Sequence, residues 1–231
     1  MRHIIERIHK RTTEYSHPSQ ATTTANALEL LSSGIYTEEE RFVFELLQNA
    51  VDSYNPEISS GLDVKIVVKN NNLMFLHNGQ PFSERDLEGL CDIGNGNKMS
   101  DAKKIGYKGI GFKSVFMHSK CVTVVTEGTA FKFDEEACKI LAHNKGTEYQ
   151  DVKMPWQIIP IPIDKPSLSE YGTYNVATIL VVNNGAKLLG KVKRLLSDAR
   201  FLLFLNVGNL KMTLWDCLLY TSDAADDRIS V

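Results

Sequence analysis

Three polar side chains recur at helical spacing inside the apolar segment 42–52. Glu45, Asn49 and Asp52 stand four and then three residues apart, and on an α-helix this spacing places them on one face. Apolar residues make up most of the remainder, so we expect the helix to be largely buried. Unpaired buried charge is costly, and a metal–phosphate ligand is one candidate to compensate it. A solvent-facing stripe explains the same spacing and, for this helix alone, is the commoner case.

A second candidate for chemistry is the segment 92–111, which is rich in glycine, asparagine and lysine. Its members include Gly94, Gly96, Gly106, Gly109, Gly111, Asn95, Asn97, Lys98, Lys103, Lys104 and Lys108. Glycine at this density predicts a mobile loop with exposed main-chain N–H groups. The apolar pattern resumes at Phe112 and predicts the start of a helix. A glycine-rich loop that runs into a helix N-terminus is typical of an anion-binding site.

Two common phosphate-binding motifs do not fit this loop. Gly106 and Gly111 have the spacing of a Walker A motif, but Phe112 intervenes before Lys113 and Ser114. The dinucleotide fingerprint has the order G-x-G-x-x-G after a strand, whereas here the order is G-x-x-G-x-G after a polar segment.

The elements that would position these residues follow from the sequence pattern. Thr37 and Glu40 form a capping-box pattern that predicts the start of the central helix, which should run to about Ser53. Ser83, with Asp86 three residues later, predicts the start of another helix. That helix should run from residue 84 to 91. Further helices are predicted at 1–15, 25–32 and 187–198, and a loop is predicted at 16–24. Strands are predicted at 62–68, 73–76, 121–126, 130–133, 157–163 and 175–182. The apolar segments 201–205 and 210–214 are predicted to complete the core.

This order of elements predicts an α+β fold, a two-layer sandwich with helices on one face of a mixed, mostly antiparallel sheet. We divide the chain into an N-terminal helix and linker at 1–24, a domain at 25–215 and a tail at 216–231. Lys and Arg total 26 against 28 Asp and Glu, so net charge gives no argument for nucleic-acid binding. Four cysteines without C-x-x-C spacing, and the lack of a secretory leader or of about 20 consecutive apolar residues, predict a soluble cytoplasmic protein.

Three separated segments, taken in order, resemble the N box and two G boxes of the GHKL ATPase superfamily. They are Glu45–Asp52, His77-Asn78-Gly79 and Gly106–Lys113. The superfamily has the Bergerat ATP-binding fold and includes the ninety-kilodalton heat-shock chaperone, gyrase B, MutL and the histidine kinases. Within it, the sacsin and NO VEIN-like group has similar segments at 45–52, 81–84, 90–98 and 106–116, and the resemblance covers about residues 25–215.

The resemblance implies ATP and Mg²⁺ as cofactors and assigns roles on the central helix. Glu45 would be the general base that deprotonates the attacking water. Asn49 would give its carbonyl oxygen to Mg²⁺, which prefers oxygen ligands, and Asp52 would lie close to the nucleotide.

In the glycine-rich segment, the resemblance implies that main-chain N–H groups of Gly106, Gly109 and Gly111 approach the phosphates. Lys108 or Lys113 would add positive charge, and Lys98 would reach a phosphate when the loop closes as a lid. Ile110 and Phe112 complete the same motif. An isolated lysine is more often simply solvated, which is the alternative for Lys98.

The position of His77 departs from much of the superfamily, which has an aspartate there that accepts a hydrogen bond from the adenine amino group. His77 can accept through a neutral ring nitrogen, or Asn78 can take over, with Gly79 beside them. Thr178 on a late strand falls where the superfamily often has a threonine near the base. The strand preference of threonine explains its presence equally well.

The resemblance therefore implies slow ATP hydrolysis, gated by a lid at 92–111, that drives conformational change in a larger protein and allows a nucleotide-dependent homodimer. A non-catalytic, nucleotide-dependent interaction module, chaperone-like or associated with nucleic acid, is the main alternative. A histidine-kinase catalytic domain is disfavoured by Glu45 and by the lack of an upstream dimerisation helix that carries a phospho-acceptor histidine.

The residues after Trp215 do not continue the pattern. Cys217–Asp227 resembles translated sequencing-adapter sequence, so we expect the biological reading frame to end near Asp216 and the chain to be a fragment. A natural polar tail is the alternative, and no functional prediction uses these residues.

Overall fold

A mixed sheet of eight strands, in the order β5-β4-β3-β6-β2-β1-β7-β8, forms the centre of the computed structural model, which describes residues 1–35, 41–93, 111–197, 209–217 and 229–230. The strands are β1 (Leu62–Lys69), β2 (Asn72–His77), β3 (Cys121–Thr126), β4 (Thr129–Asp134), β5 (Ile161–Ile163), β6 (Val176–Val181), β7 (Leu210–Asp216) and β8 (Ile229–Ser230). β1 and β7 are parallel, and the other pairings between described strands are antiparallel.

Six α-helices accompany the sheet in the described residues. They are α1 (Arg2–Thr13), α2 (Pro18–Ile35), α3 (Arg41–Asp52), α4 (Glu84–Leu90), α5 (Glu135–Asn144) and α6 (Gly185–Ser197). Short 3₁₀ helices lie at Gly111–Met117, Thr147–Tyr149, Trp156–Ile158 and Ser169–Tyr171. No helix within these residues is long and apolar enough to cross a membrane.

Strand side chains alternate between two separate cores, one on each face of the sheet. The helices pack on the face of the larger core. Ile66 of β1 and Phe75 of β2 belong to the larger core, which also takes residues from all six α-helices. Their strand neighbours Val67 and Leu76 belong to a smaller core on the other face, covered by Tyr171 of a 3₁₀ helix. The predicted α+β fold, with helices on one face of a mixed and mostly antiparallel sheet, is confirmed.

The loop predicted at 16–24 is wrong, because helix α2 begins at Pro18 and continues to Ile35. Proline is tolerated in the first turn of a helix, where its missing N–H has no intrahelical partner to lose. The hydroxyls of Thr23 and Thr24 donate to main-chain carbonyls four residues earlier, at 3.0 and 2.9 Å. The polar side chains of this segment therefore find hydrogen-bond partners within a helix, although their types are common in turns.

The N-terminal helix is part of the main core. Ile4, Ile5 and Ile8 of α1 are buried with the residues that cover the sheet. Arg7, on the exposed side, forms ion pairs with Glu84 and Glu88 of α4.

Local signals of turns and caps are largely confirmed. Ser83 and Asp86 form a reciprocal capping box at the start of α4. The predicted edge strand at 157–163 shortens to β5, whose Pro162 is tolerated because an edge strand has one unpaired side. The predicted helix start at Phe112 is a 3₁₀ helix from Gly111 to Met117. The capping-box pattern at Thr37 and Glu40 and the apolar segment 201–205 lie outside the described residues.

Candidate functional site

Helix α3 presents the three polar residues singled out in the sequence. Its residues Phe42, Val43, Leu46, Leu47 and Ala50 are buried in the main core. Glu45, Asn49 and Asp52 are half-buried. One side of the helix therefore belongs to the core. Its polar side is partly accessible to solvent.

The end of the glycine-rich segment lies directly against the carboxylate of Glu45. A β-carbon added at Gly111 would overlap Glu45 Oε2 and stand 2.9 Å from its Cδ. Contacts between real β-carbons and other atoms are almost never this short, so a side chain at position 111 would force Gly111 and Glu45 apart. The structure thus joins two segments that the sequence analysis identified separately.

His77 ends β2 on the helix-covered face of the sheet and is buried. Burial lowers the pKa of its imidazole to about 4, so the ring is neutral at pH 7. Its Nδ1 has no hydrogen-bond partner in the part of the chain that the structure describes. A neutral imidazole carries one donor and one acceptor nitrogen, and no bond at Nδ1 fixes which nitrogen carries the proton.

Gly79 follows the end of β2 and lies against the C-terminal end of α3. A β-carbon added at Gly79 would overlap Ser53 Oγ and stand 2.9 Å from His77 Nδ1. The main-chain N–H of Gln80 donates to the carbonyl of Ser53 at 2.9 Å. His77 is therefore held beside the end of the helix that carries Asp52.

Ser53 and Gln80 are not among the site residues predicted from the sequence. The only signal in the sequence was the position of Ser53 directly after Asp52.

The side chain of Asn78 has a structural task. Its Oδ1 accepts from the Asp63 N–H at 2.8 Å, and its Nδ2 donates to the Gly61 carbonyl at 3.2 Å. These bonds fix the chain at the start of β1. Each end of the Asn78 amide holds one of these bonds, whereas His77 Nδ1 has no partner among the described residues.

Thr178 is buried on β6, directly opposite Phe75 of β2 and Val124 of β3. Directly paired residues of antiparallel strands point to the same side of a sheet. Thr178 therefore shares the helix-covered face with Phe75 and His77.

Two residues of the glycine-rich motif are used inside the protein. Lys113 is buried, and its Nζ donates to the Leu90 carbonyl at 2.8 Å. Burial lowers the pKa of its ammonium group to about 8. Phe112 is buried in the main core, edge-on to Phe116. Lys98, Gly106, Lys108, Gly109 and Ile110 lie outside the described residues.

Oxygen donors dominate the polar face of α3, and such donors suit a hard cation such as Mg²⁺. Among the described residues, no group of three or more His, Cys, Asp or Glu side chains is placed to hold a metal ion. The amide oxygen of Asn49 fits an ion that takes few ligands from the protein and the rest from water and phosphate, which is the usual mode for Mg²⁺.

Comparison with known proteins relates the chain to sacsin and to proteins similar to sacsin. The family model of the Sacsin domain matches residues 26–157, more than half of the chain. Protein NO VEIN of Arabidopsis thaliana is 35% identical over 115 residues, which are 50% of this chain and 4% of that protein. Human sacsin is 31% identical over 102 residues, 39% of this chain and 2% of sacsin.

Chaperone protein HtpG of Sulfurovum sp. (strain NBC37-1) is 29% identical over 155 residues, 56% of this chain and 24% of HtpG. This match supports a relationship to the GHKL group, in addition to the relationship to sacsin that the other matches give. The chain spans a quarter or less of each of these three relatives. With its family model covering the central helix, the segment 77–79 after β2 and the glycine-rich segment, the chain belongs to the Sacsin domain family.

Proposed function

We propose that this domain binds ATP with Mg²⁺ and hydrolyses ATP slowly, as part of a longer protein whose conformation follows the nucleotide state. The observation that carries the proposal is the contact between Gly111 and Glu45. It sets a candidate phosphate-binding segment against a candidate general base. The match to a chaperone, HtpG, supports an ATPase-like or chaperone-like module.

The polar face of α3 provides the groups for phosphate chemistry. Asn49, through its amide oxygen, would hold Mg²⁺, which when bound neutralises phosphate charge. Asp52 would lie close to the nucleotide. Glu45 would orient a water molecule and accept its proton. A carboxylate positioned at hydrogen-bond distance from the attacking water is the usual requirement for a general base.

His77 and Thr178 would contact the base of the nucleotide. Both are buried on the helix-covered face of the sheet, and His77 is neutral because burial lowers its pKa to about 4. A neutral ring nitrogen can accept a hydrogen bond from an exocyclic amino group, which an imidazolium cannot do. Gly79 allows the close approach of His77 to the end of α3.

The segment 92–111 is proposed to close over the nucleotide. Main-chain N–H groups of Gly106, Gly109 and Gly111 would face the phosphates, with Ile110 between two of these glycines. Lys98 and Lys108 would supply charge. Lys113 is a weaker candidate, since its Nζ already donates to the Leu90 carbonyl.

Calorimetric titration of ATP in the presence of Mg²⁺ tests the proposal. We expect binding by the unaltered chain and a loss of at least about tenfold in affinity in Gly111→Ala, equivalent to roughly 1.4 kcal/mol. Gly190→Ala on α6 is the matched control, because a β-carbon there meets no atom within 4 Å.

Asn49→Ala is a second variant that does not change the glycine contact, and it should also weaken binding. Thermal unfolding of each variant establishes that it folds. Absence of binding to the unaltered chain at millimolar ATP would refute the proposal, and so would equal affinity in all four proteins.

A further inference from the structure

A second site lies on the helix-covered side, in a groove of about 1040 Å³ between α2, α5 and the segment 150–157. The 3₁₀ helix Gly111–Met117 reaches this groove with its last residues, Phe116 and Met117. Its first residue, Gly111, lies against Glu45, and the described residues assigned above to ATP or Mg²⁺ do not line the groove. The groove is therefore separate from the proposed nucleotide site.

The groove has an apolar floor and an apolar rim. Phe116 and Trp156 are packed edge-on, with ring centroids 5.0 Å apart, and Met154 is buried beside them. On the rim, Leu30 is 74% exposed and Met117 48% exposed. Aromatic and methionine side chains of this kind are typical of surfaces that bind other polypeptides.

A buried polar group in the groove also lacks a partner. Gln157 lines the groove and is only 8% exposed, yet its Oε1 has no hydrogen-bond partner within the described ranges. Buried amide oxygens are nearly always hydrogen-bonded. This oxygen is shielded from solvent, so an N–H donor of a ligand would reach it when the Gln157 side chain turns toward the groove.

The charges around the groove indicate what kind of ligand fits. Lys120 and Lys139 pair with Glu135 at 2.9 and 3.3 Å, and Lys153 pairs with Glu29. Asp151 also lines the groove. Unlike the other charged lining residues, it forms no ion pair within the described residues. The groove therefore complements a ligand that is mainly apolar and carries one positive charge.

We propose that this groove is the docking site of an amphipathic peptide segment with an apolar face and a flanking Lys or Arg. The apolar side chains would cover Phe116, Met117 and Leu30. The basic residue would pair with Asp151. A peptide N–H would donate to Gln157 Oε1 once that side chain turns toward the groove. An α-helix that lays its apolar face into a groove is a common mode of peptide recognition.

The test uses a library of random 16-residue peptides displayed on phage and selected on the whole chain without nucleotide. We expect the selected peptides to carry apolar residues three and four positions apart beside a basic residue. Their affinity, measured by fluorescence anisotropy, should fall by about tenfold or more in the double variant Leu30→Glu/Met117→Glu, because the apolar face of the peptide would then cover two unpaired carboxylates. Ile140→Glu is the matched control, because Ile140 is 57% exposed on α5 and does not line the groove.

Gln157→Met separates a binding role from a structural one. The substitution removes a buried oxygen without a partner, so it should leave folding intact or improve it, while weakening the selected peptides. Peptides that bind the double variant as tightly as the unaltered chain would overturn the proposal, and so would a selection without the expected pattern. These measurements need no ATP, so they are independent of the proposed ATPase activity.

Discussion

Lys113 Nζ donates a hydrogen bond to the main-chain carbonyl of Leu90 at 2.8 Å, and both groups are buried. Leu90 ends α4, and Lys113 is the third residue of the 3₁₀ helix that begins at Gly111. The bond therefore joins the parts of the chain on either side of residues 94–110. It fixes the separation of the two ends of the segment that we propose to close over ATP.

The buried ammonium group of Lys113 predicts a stability that rises with pH in the alkaline range. Its pKa is lowered by burial from 10.5 to about 8. Between these values the unfolded chain holds a proton that the folded chain has lost, so stability increases with pH. Relative to Lys113→Met, the free energy of unfolding should rise by on the order of 3 kcal/mol from pH 8 to 10.5. Urea unfolding of both proteins across this range measures the difference, and a difference that does not change with pH contradicts the prediction.

His77 predicts the corresponding effect in acid. Its pKa is lowered by burial from 6.5 to about 4, so the unfolded chain binds a proton that the folded chain excludes between these values. Stability should therefore fall as the pH drops from 6.5 to 4, by on the order of 3 kcal/mol relative to His77→Gln. Carboxylates titrate in both proteins and cancel in the comparison. Identical acid unfolding of the two proteins would show that His77 is not the buried group described here.

Gly79 should tolerate no side chain. In Gly79→Ala the new methyl group meets Ser53 Oγ and His77 Nδ1, and we expect a loss of roughly 1–3 kcal/mol in the free energy of unfolding. Gly89→Ala on α4 is the control, since its β-carbon meets no atom within 4 Å and alanine favours a helix by up to about 1 kcal/mol.

The same contact can be checked with a double-mutant cycle. Ser53→Ala removes the hydroxyl that the new methyl group overlaps, so it should recover part of the loss in Gly79→Ala. Strict additivity of the two substitutions would place the cost of Gly79→Ala elsewhere.

Glu45→Gln should separate ATP binding from turnover. The amide keeps the size of the side chain beside Gly111 but cannot accept a proton, so phosphate release should fall by about 10²–10⁴-fold while ATP affinity changes little. Gln48→Ala on the same helix is the control and should retain turnover. If the unaltered chain binds ATP and releases no phosphate, the domain is a nucleotide-dependent interaction module rather than an ATPase.

Local signals carried much of the fold prediction. The capping box of Ser83 and Asp86 and the β1–β2 and β3–β4 hairpins involve residues only a few positions apart. Their energetics depend on neighbours that the sequence itself provides. The exception is α2, where Pro18, Thr23 and Thr24 indicated a loop although each is compatible with a helix in its actual position.

The sequence by itself determined that α3 carries Glu45, Asn49 and Asp52 on one side, because helical periodicity is a local property. Only the tertiary structure decided that Gly111 meets Glu45, that Lys113 is held at Leu90 and that Asn78 is engaged at the start of β1. These contacts join residues far apart in the chain, and their geometry depends on how helices and strands pack around a shared core. The order of the motifs along the chain predicted the members of the candidate site. Packing determined which of them, such as Lys113 and Asn78, hold hydrogen bonds inside the protein.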